Sequence, residues 1–196
     1  MELYFVRHVP HTLQNRVMVG RMPGIQLAED APRRLAWLQE RLARERIERV
    51  VAGPLDRVQQ TARAIAAARG LSVETDPDLD EIDAGRWTGK TLAELDGDPD
   101  WELWRRVRAQ ARAPGGETMA EIQARMARAT ERLIREGAGT GVLIVSHGDP
   151  IRLALTWRLG LGVDRMDCLR IDPGSLSVLT ITERGAELRL LNERPA

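Results

Sequence analysis

Two of the chain's three histidines stand directly after short apolar runs. Leu3-Tyr4-Phe5-Val6 runs out into Arg7-His8, and Val142-Leu143-Ile144-Val145 into Ser146-His147-Gly148. A third run, Val50-Val51-Ala52, leads into Gly53-Pro54-Leu55-Asp56-Arg57. Short apolar runs closed by turn residues read as buried strands, and open α/β sheets bind their ligands beyond the carboxyl ends of the strands. Taken singly, a histidine after a strand most often has a hydrogen-bonded structural role, and an arginine at a helix start is a surface charge. Three such ends in one chain point instead to a shared site. Two arginines and two histidines on one point pack poorly but hold a dianion well, because guanidinium groups bind phosphate oxygens in pairs. Neutral imidazole is also a nucleophile near neutral pH.

The elements that must position these groups alternate. Residues 2–6, 50–52 and 142–145 read as strands, and 176–182 with 187–191 as a terminal hairpin around Arg184-Gly185. Leu35, Leu38, Leu42 and Ala43 give residues 28–46 the spacing of an amphipathic helix. Leu55 to Arg69 is alanine-rich and helical with Gly70 as its stop, and Glu117 to Glu136 forms a long helical pattern ending before Gly137. Trp101 to Arg112 forms another helix, broken by Pro114-Gly115-Gly116. Asp149 suits an N-cap and Pro150 a first helical position, so a further helix opens there with its positive end toward the site. Residues 72–100, rich in Asp, Gly and Pro, are expected to be mostly loop with short elements. The alternation implies an α/β fold, a three-layer α/β/α sandwich around a largely parallel sheet. The chain of 196 residues is expected to form a single domain, 1–196, with a cap segment at about 76–116.

Composition narrows the class further. Twenty-nine basic residues balance twenty-nine acidic ones, which gives no bulk attraction to nucleic acid or to a membrane surface. No apolar run approaches the length of a membrane span, no signal-peptide pattern is visible, and Cys168 is the only cysteine. The expected compartment is the cytoplasm, with no disulfide and no cysteine-rich metal site. Lys90 is the only lysine, a bias that base composition explains and that still favours phosphate recognition.

The motifs in order resemble the histidine phosphatase superfamily, its phosphoglycerate-mutase-like group. Arg7-His8 sits where that family's Arg-His-Gly motif follows its first strand. Pro54-Leu55-Asp56-Arg57 with Thr61-Ala62 resembles its Ser-Pro-Leu-x-Arg stretch, with Gly53 in place of a serine. Glu81-Ile82-Asp83-Ala84-Gly85-Arg86-Trp87-Thr88-Gly89 resembles its Glu-Ile-x-x-Gly-x-Trp-x-Gly segment. Pro114-Gly115-Gly116-Glu117-Thr118 is similar to its Gly-Gly-Glu-Ser turn, and Ser146-His147-Gly148 to its second histidine motif. The resemblance implies His8 as the nucleophile that accepts a phosphoryl group. It implies Arg7, Arg57 and His147 as the groups around the phosphoryl oxygens. Glu81 becomes the acid that protonates the leaving oxygen and then activates water. The residues alone do not choose Glu81 over Asp78, Asp80 and Asp83; the resemblance does. Asn15 and Arg21, on the chain that follows His8, are further substrate-binding candidates. No cofactor and no metal are implied. The partner expected is a small phosphorylated substrate, not a nucleic acid or a membrane, and a homodimer stays open.

Val9 stands where the family has glycine, and Pro10 follows it. Proline biases Val9 toward extended backbone, so the loop is expected to run at negative φ, with the valine narrowing one side of the pocket.

Other patterns carry less. Ala84 to Thr91 nearly spells a phosphate-binding loop, but the first glycine is missing, the spacing is one residue short and no buried strand precedes it. Trp101, Trp104, Arg105, Arg106, Arg108 and Arg112 interleave aromatic and basic groups as a nucleic-acid face does, but an amphipathic cap helix with a solvated basic side is the favoured reading. His8 and His11 lack a third ligand and are separated by Pro10, which argues against a metal pair; His11 is expected on the loop at the pocket entrance. The function expected is metal-independent hydrolysis of a small phosphomonoester through phosphohistidine. The alternatives are a phosphoglycerate-type mutase and a catalytically weak relative that binds a phosphorylated ligand.

Overall fold

The computed structural model describes residues 1–137 and 141–195. Within them β1 (Glu2–Arg7), β2 (Arg49–Ala52), β3 (Val73–Thr75), β4 (Gly141–Ser146), β5 (Leu176–Thr182) and β6 (Gly185–Glu193) form one sheet in the order β3-β2-β4-β1-β5-β6. The first four are parallel, and β5 and β6 add an antiparallel edge. The sheet is therefore mixed, with its parallel part in the half that carries the site.

Side-chain alternation assigns the two faces. Tyr4, Val6, Val50, Ala52, Leu143 and Val145 pack against α1 (Ala31–Leu42) and α2 (Asp56–Ala67). Leu3, Phe5, Val51, Val142 and Ile144 face α5 (Met119–Glu136) and α6 (Gly148–Arg158). Helices on both faces make the expected three layers. The stripe Met119, Ile122, Met126, Ala129 and Leu133 buries one side of α5, and a capping box of Thr118 and Glu121 fixes its start.

Between β3 and α5 lie two short helices, α3 (Leu92–Leu95) and α4 (Pro99–Arg106). Trp87, Trp101 and Trp104 pack ring on ring there, with centroids 5.2–5.6 Å apart. They join the same buried cluster as α5 and α6, so both tryptophans of the Trp/Arg stretch are core residues.

β3 is one of the short elements expected between residues 72 and 100, and only backbone pairing to β2 identifies it. Three sequence expectations change. α4 runs from Pro99 to Arg106, capped by the Asp98 carboxylate, rather than from 101 to 112. α6 starts two residues early, with His147 at the N-cap position, which frees the Asp149 side chain for ion pairs. Val9 lies at ordinary negative φ, as expected, but it is fully buried and packs in the α1/α2 core. It does not line the pocket. Among the described residues no helix is long and apolar enough to cross a membrane.

Val9→Gly therefore creates a cavity and frees the backbone. It should lower stability by about 2–4 kcal/mol in urea unfolding. A stability change near zero would mean that the side chain packs elsewhere.

Candidate active site

β4 lies between β1 and β2, and its register sets Arg7 beside Ser146 and Ala52 beside Val145. The three strands thus end at the same level. The His8 N–H donates to the Ser146 carbonyl at 3.0 Å and the Gly53 N–H to the Val145 carbonyl at 3.2 Å. Sheet pairing continued past the strands fixes where the loops begin.

His8 is buried, and its Nδ1 lies 2.8 Å from the Val9 carbonyl oxygen. A carbonyl only accepts, so Nδ1 carries the proton and Nε2 keeps its lone pair. Burial and the charges of Arg7 and Arg57 hold the imidazole well below its usual pKa, hence neutral. The Val9 N–H donates to Thr61 Oγ1, whose hydroxyl donates to the Arg57 carbonyl. The loop after His8 is thereby tied to the first turns of α2.

His147 is fully buried, its ring centroid 5.1 Å from that of His8 in an edge arrangement. Arg7 Nη1 donates to the Ile171 carbonyl at 2.7 Å, and Arg57 Nη2 to the Gly20 carbonyl at 2.7 Å. Neither guanidinium has a carboxylate in salt-bridge contact among the described residues. Arg7 Nε, Arg57 Nε and both ring nitrogens of His147 are enclosed without a hydrogen-bond partner. Buried polar atoms are normally paired, and four unpaired ones around two uncompensated cations describe a receptor for an anion. The first turn of α6 begins at the same place.

Glu81 sits across His147, its Oε2 3.5 Å from Nδ1 of that ring, with its side chain 15% exposed. Burial, then the charge of Asp149, raise its pKa. Of its acidic neighbours, Asp78 pairs with Arg128 and Arg132, and Asp83 accepts from the Gly85 N–H. Asp80 accepts from the Glu81 N–H and lies 3.4 Å from Arg21 Nε. Glu81 Oε1 accepts from the Ile82 N–H, which leaves Oε2 free to face the pocket.

The loop that carries Glu81 is held by a residue outside every motif. Arg125, on α5 and 5% exposed, donates to the carbonyls of Asp78, Asp80 and Glu81 and pairs with Glu117. Glu117 also accepts from the Asp83 N–H and from Arg21. A cation inside the apolar stripe of α5 was the available sequence signal. Gly53 has a related reason: a Cβ there would lie 2.7 Å from the Leu79 carbonyl oxygen, which already accepts from Ser146 Oγ.

The structure brings His8, Arg7, Arg57, His147 and Glu81 together. Arg21 reaches the rim, where it binds the Glu81 carbonyl and Glu117. Asn15 does not join them; it is exposed in a turn at φ 59°, and its side chain meets Gln14. His11 is buried beside His8, with ring centroids 5.6 Å apart.

Residues 3–194 match the family model of the histidine phosphatase superfamily (branch 1). A Yersinia pestis protein named "probable phosphoglycerate mutase" is 34% identical over 183 residues, covering 90% of this chain and 83% of that one. The crystal structure of the α-ribazole phosphatase from Shigella flexneri superposes with a TM-score of 0.91 at 26% identity, covering 99% of this chain and 97% of that one. A mycobacterial glucosyl-3-phosphoglycerate phosphatase structure gives 0.88 at 26% identity, covering 97% and 98%.

The buried histidines make stability depend on pH. Burial, then His8 and the arginines, hold His147 neutral in the folded state well below the ordinary value of 6.5. Below that pH the unfolded chain takes up a proton that the folded chain refuses, so acidification destabilises. His147 contributes up to about 1.4 kcal/mol per pH unit there. Urea unfolding at pH 7, 6 and 5 should show a shallower decline for His147→Gln than for the wild type. Equal slopes would mean that His147 protonates in the folded protein.

Proposed function

The chain belongs to the histidine phosphatase superfamily, and from that premise we propose that it hydrolyses a small phosphomonoester without a metal, through a phosphohistidine on His8. The observation that carries this reading is the pair of guanidinium groups without carboxylate partners whose charges act on His8, beside the enclosed ring of His147. A phosphoryl group placed on the free Nε2 of His8 accepts from the enclosed N–H groups and compensates the charge. His8 Nε2 attacks phosphorus, the ester P–O bond breaks in line with it, and protonated Glu81 gives its proton to the leaving oxygen. Glu81, now a carboxylate, takes a proton from water as the water oxygen attacks phosphorus. The P–N bond breaks, inorganic phosphate leaves, and His8 returns to its neutral form. Arg7 and Arg57 supply the positive charge that the transition state needs.

The stretch Ile82-Asp83-Ala84-Gly85-Arg86-Trp87-Thr88-Gly89 after Glu81 resembles the phosphatase members of the family. The two superposed structures are of phosphatases, which supports hydrolysis. The second reading, mutase activity, is favoured by the Yersinia relative. It differs in what receives the phosphoryl group from His8.

Phosphate release from a panel of phosphomonoesters, run with a chelator, tests the proposal. Turnover should persist, acid-labile and base-stable labelled phosphate should be trapped on the wild type, and His8→Ala should abolish both. Activity that disappears with chelator and returns with zinc or magnesium would overturn it. Phosphoglycerate isomerisation faster than phosphate release would select the mutase. Glu81→Gln should slow alkyl phosphates far more than activated aryl phosphates, whose leaving groups need little protonation. Equal losses on both classes would remove Glu81 as the acid.

A further inference from the structure

His11 is the one chain histidine that the reaction above does not use. It is 4% exposed, and its loop is pinned by paired backbone contacts: His11 bridges Leu27, the Thr12 N–H donates to the Gln26 carbonyl, and the Ala28 N–H to the Pro10 carbonyl. Its Nδ1 accepts from the Leu13 N–H at 3.3 Å. An accepting Nδ1 puts the proton of the neutral ring on Nε2, and no hydrogen-bond partner for Nε2 occurs among the described residues. The ring lies beside His8, and the charges that act on it are those of Arg57 and Arg7, the two unpaired guanidinium groups. His147 flanks His8 by a separate ring contact.

We propose that His11 is a substrate-positioning residue, whose Nε2–H donates to an oxygen of the bound phosphoryl group on the Arg57 side of His8. The proposal rests on reading this pocket as a phosphoryl site. A neutral donor suits the position, because it adds a hydrogen bond without adding a third cation beside two arginines. Burial, Arg57 and Arg7 push its pKa down to about 4, so the ring stays neutral through the neutral range.

The two nitrogens have separable duties, and two substitutions separate them. His11→Asn keeps an acceptor near the Nδ1 position for the Leu13 N–H and deletes the distal donor. His11→Gln extends an amide N–H toward the Nε2 position and gives up the turn contact. Binding of inorganic phosphate, measured by calorimetry near pH 7, should weaken about tenfold in His11→Asn, on the scale of one lost hydrogen bond. It should stay within about threefold of the wild type in His11→Gln. The reverse order, or unchanged binding in His11→Asn, would overturn the proposal and leave His11 as a turn residue only. The readout does not need turnover. A wild type that binds phosphate but hydrolyses no ester would sink the hydrolase reading while the order of the variants still decides His11. A wild type that binds no phosphate would overturn both.

Discussion

Arg7 and Arg57 are like charges aimed at one point, and the rest of the site is arranged around that unfavourable placement. Elsewhere in this arginine-rich chain, guanidinium groups find carboxylates: Arg49 with Glu74 and Glu136, Arg41 with Glu45 and Glu193, Arg112 with Glu121. The two at the strand ends are held only by carbonyl oxygens, from Ile171, Gly20 and Met22. Carbonyls orient a guanidinium without cancelling its charge. Burial and the field that remains keep His8 and His147 neutral, and that field is available to a dianion. Strand pairing in the centre of the sheet supplies the rigidity that holds these groups in place.

The clamp on the Glu81 loop answers a different demand. That loop lacks regular structure from Asp80 to Ala84, so its carbonyls need partners from elsewhere. Arg125 takes two of them, those of Asp80 and Glu81, together with that of Asp78, and Glu117 takes the Asp83 N–H. Gly85 and Gly116 let the two loops approach backbone to backbone, since a Cβ on Gly85 would strike the Pro114 carbonyl and one on Gly116 that of Asp83. The position of the Glu81 carboxylate is therefore set by α5, an element distant from the motif in sequence.

Much of this was legible because strand ends and chemistry coincide in the sequence. Apolar runs of three or four residues marked β1, β2 and β4, and the residues after them marked His8, Arg57 and His147. What was hidden depends on contacts that no local pattern encodes. β3 is three residues long with two of them exposed, so its sequence has no apolar signature and only its partner β2 makes it a strand. Asp149 carries the residue type of an N-cap, but its carboxylate is drawn to Arg108 and Arg152, and the helix starts ahead of it. Val9 next to a nucleophile looked like a pocket wall. The Val9 N–H to Thr61 and the Val9 carbonyl to His8 turn its side chain into the opposite layer. Asn15 occupies a turn whose positive φ favours asparagine for backbone reasons alone.

Asp149 and Glu81 illustrate how one site shifts two carboxylates in opposite directions. Both are largely withdrawn from water, which raises a carboxylate's pKa. Asp149 is rescued by Arg108 and Arg152, whose charges hold it below its usual value, so it stays ionised. Arg108 reaches it from the chain just after α4, its guanidinium 4.4 Å from the Trp104 ring. The negative charge fixed there then acts on Glu81, which has no ion pair with an arginine side chain among the described residues, and pushes it further toward the protonated form. A proton on Glu81 is what the first step of the proposed reaction consumes. Once that proton has left with the alcohol, the new carboxylate lies in the field of Arg57 and Arg7, which lower its pKa. In the proposed reaction, the same arginines that hold the phosphoryl oxygens thus stabilise the base that activates water. The tryptophan cluster, through Arg108 and Asp149, thereby bears on Glu81.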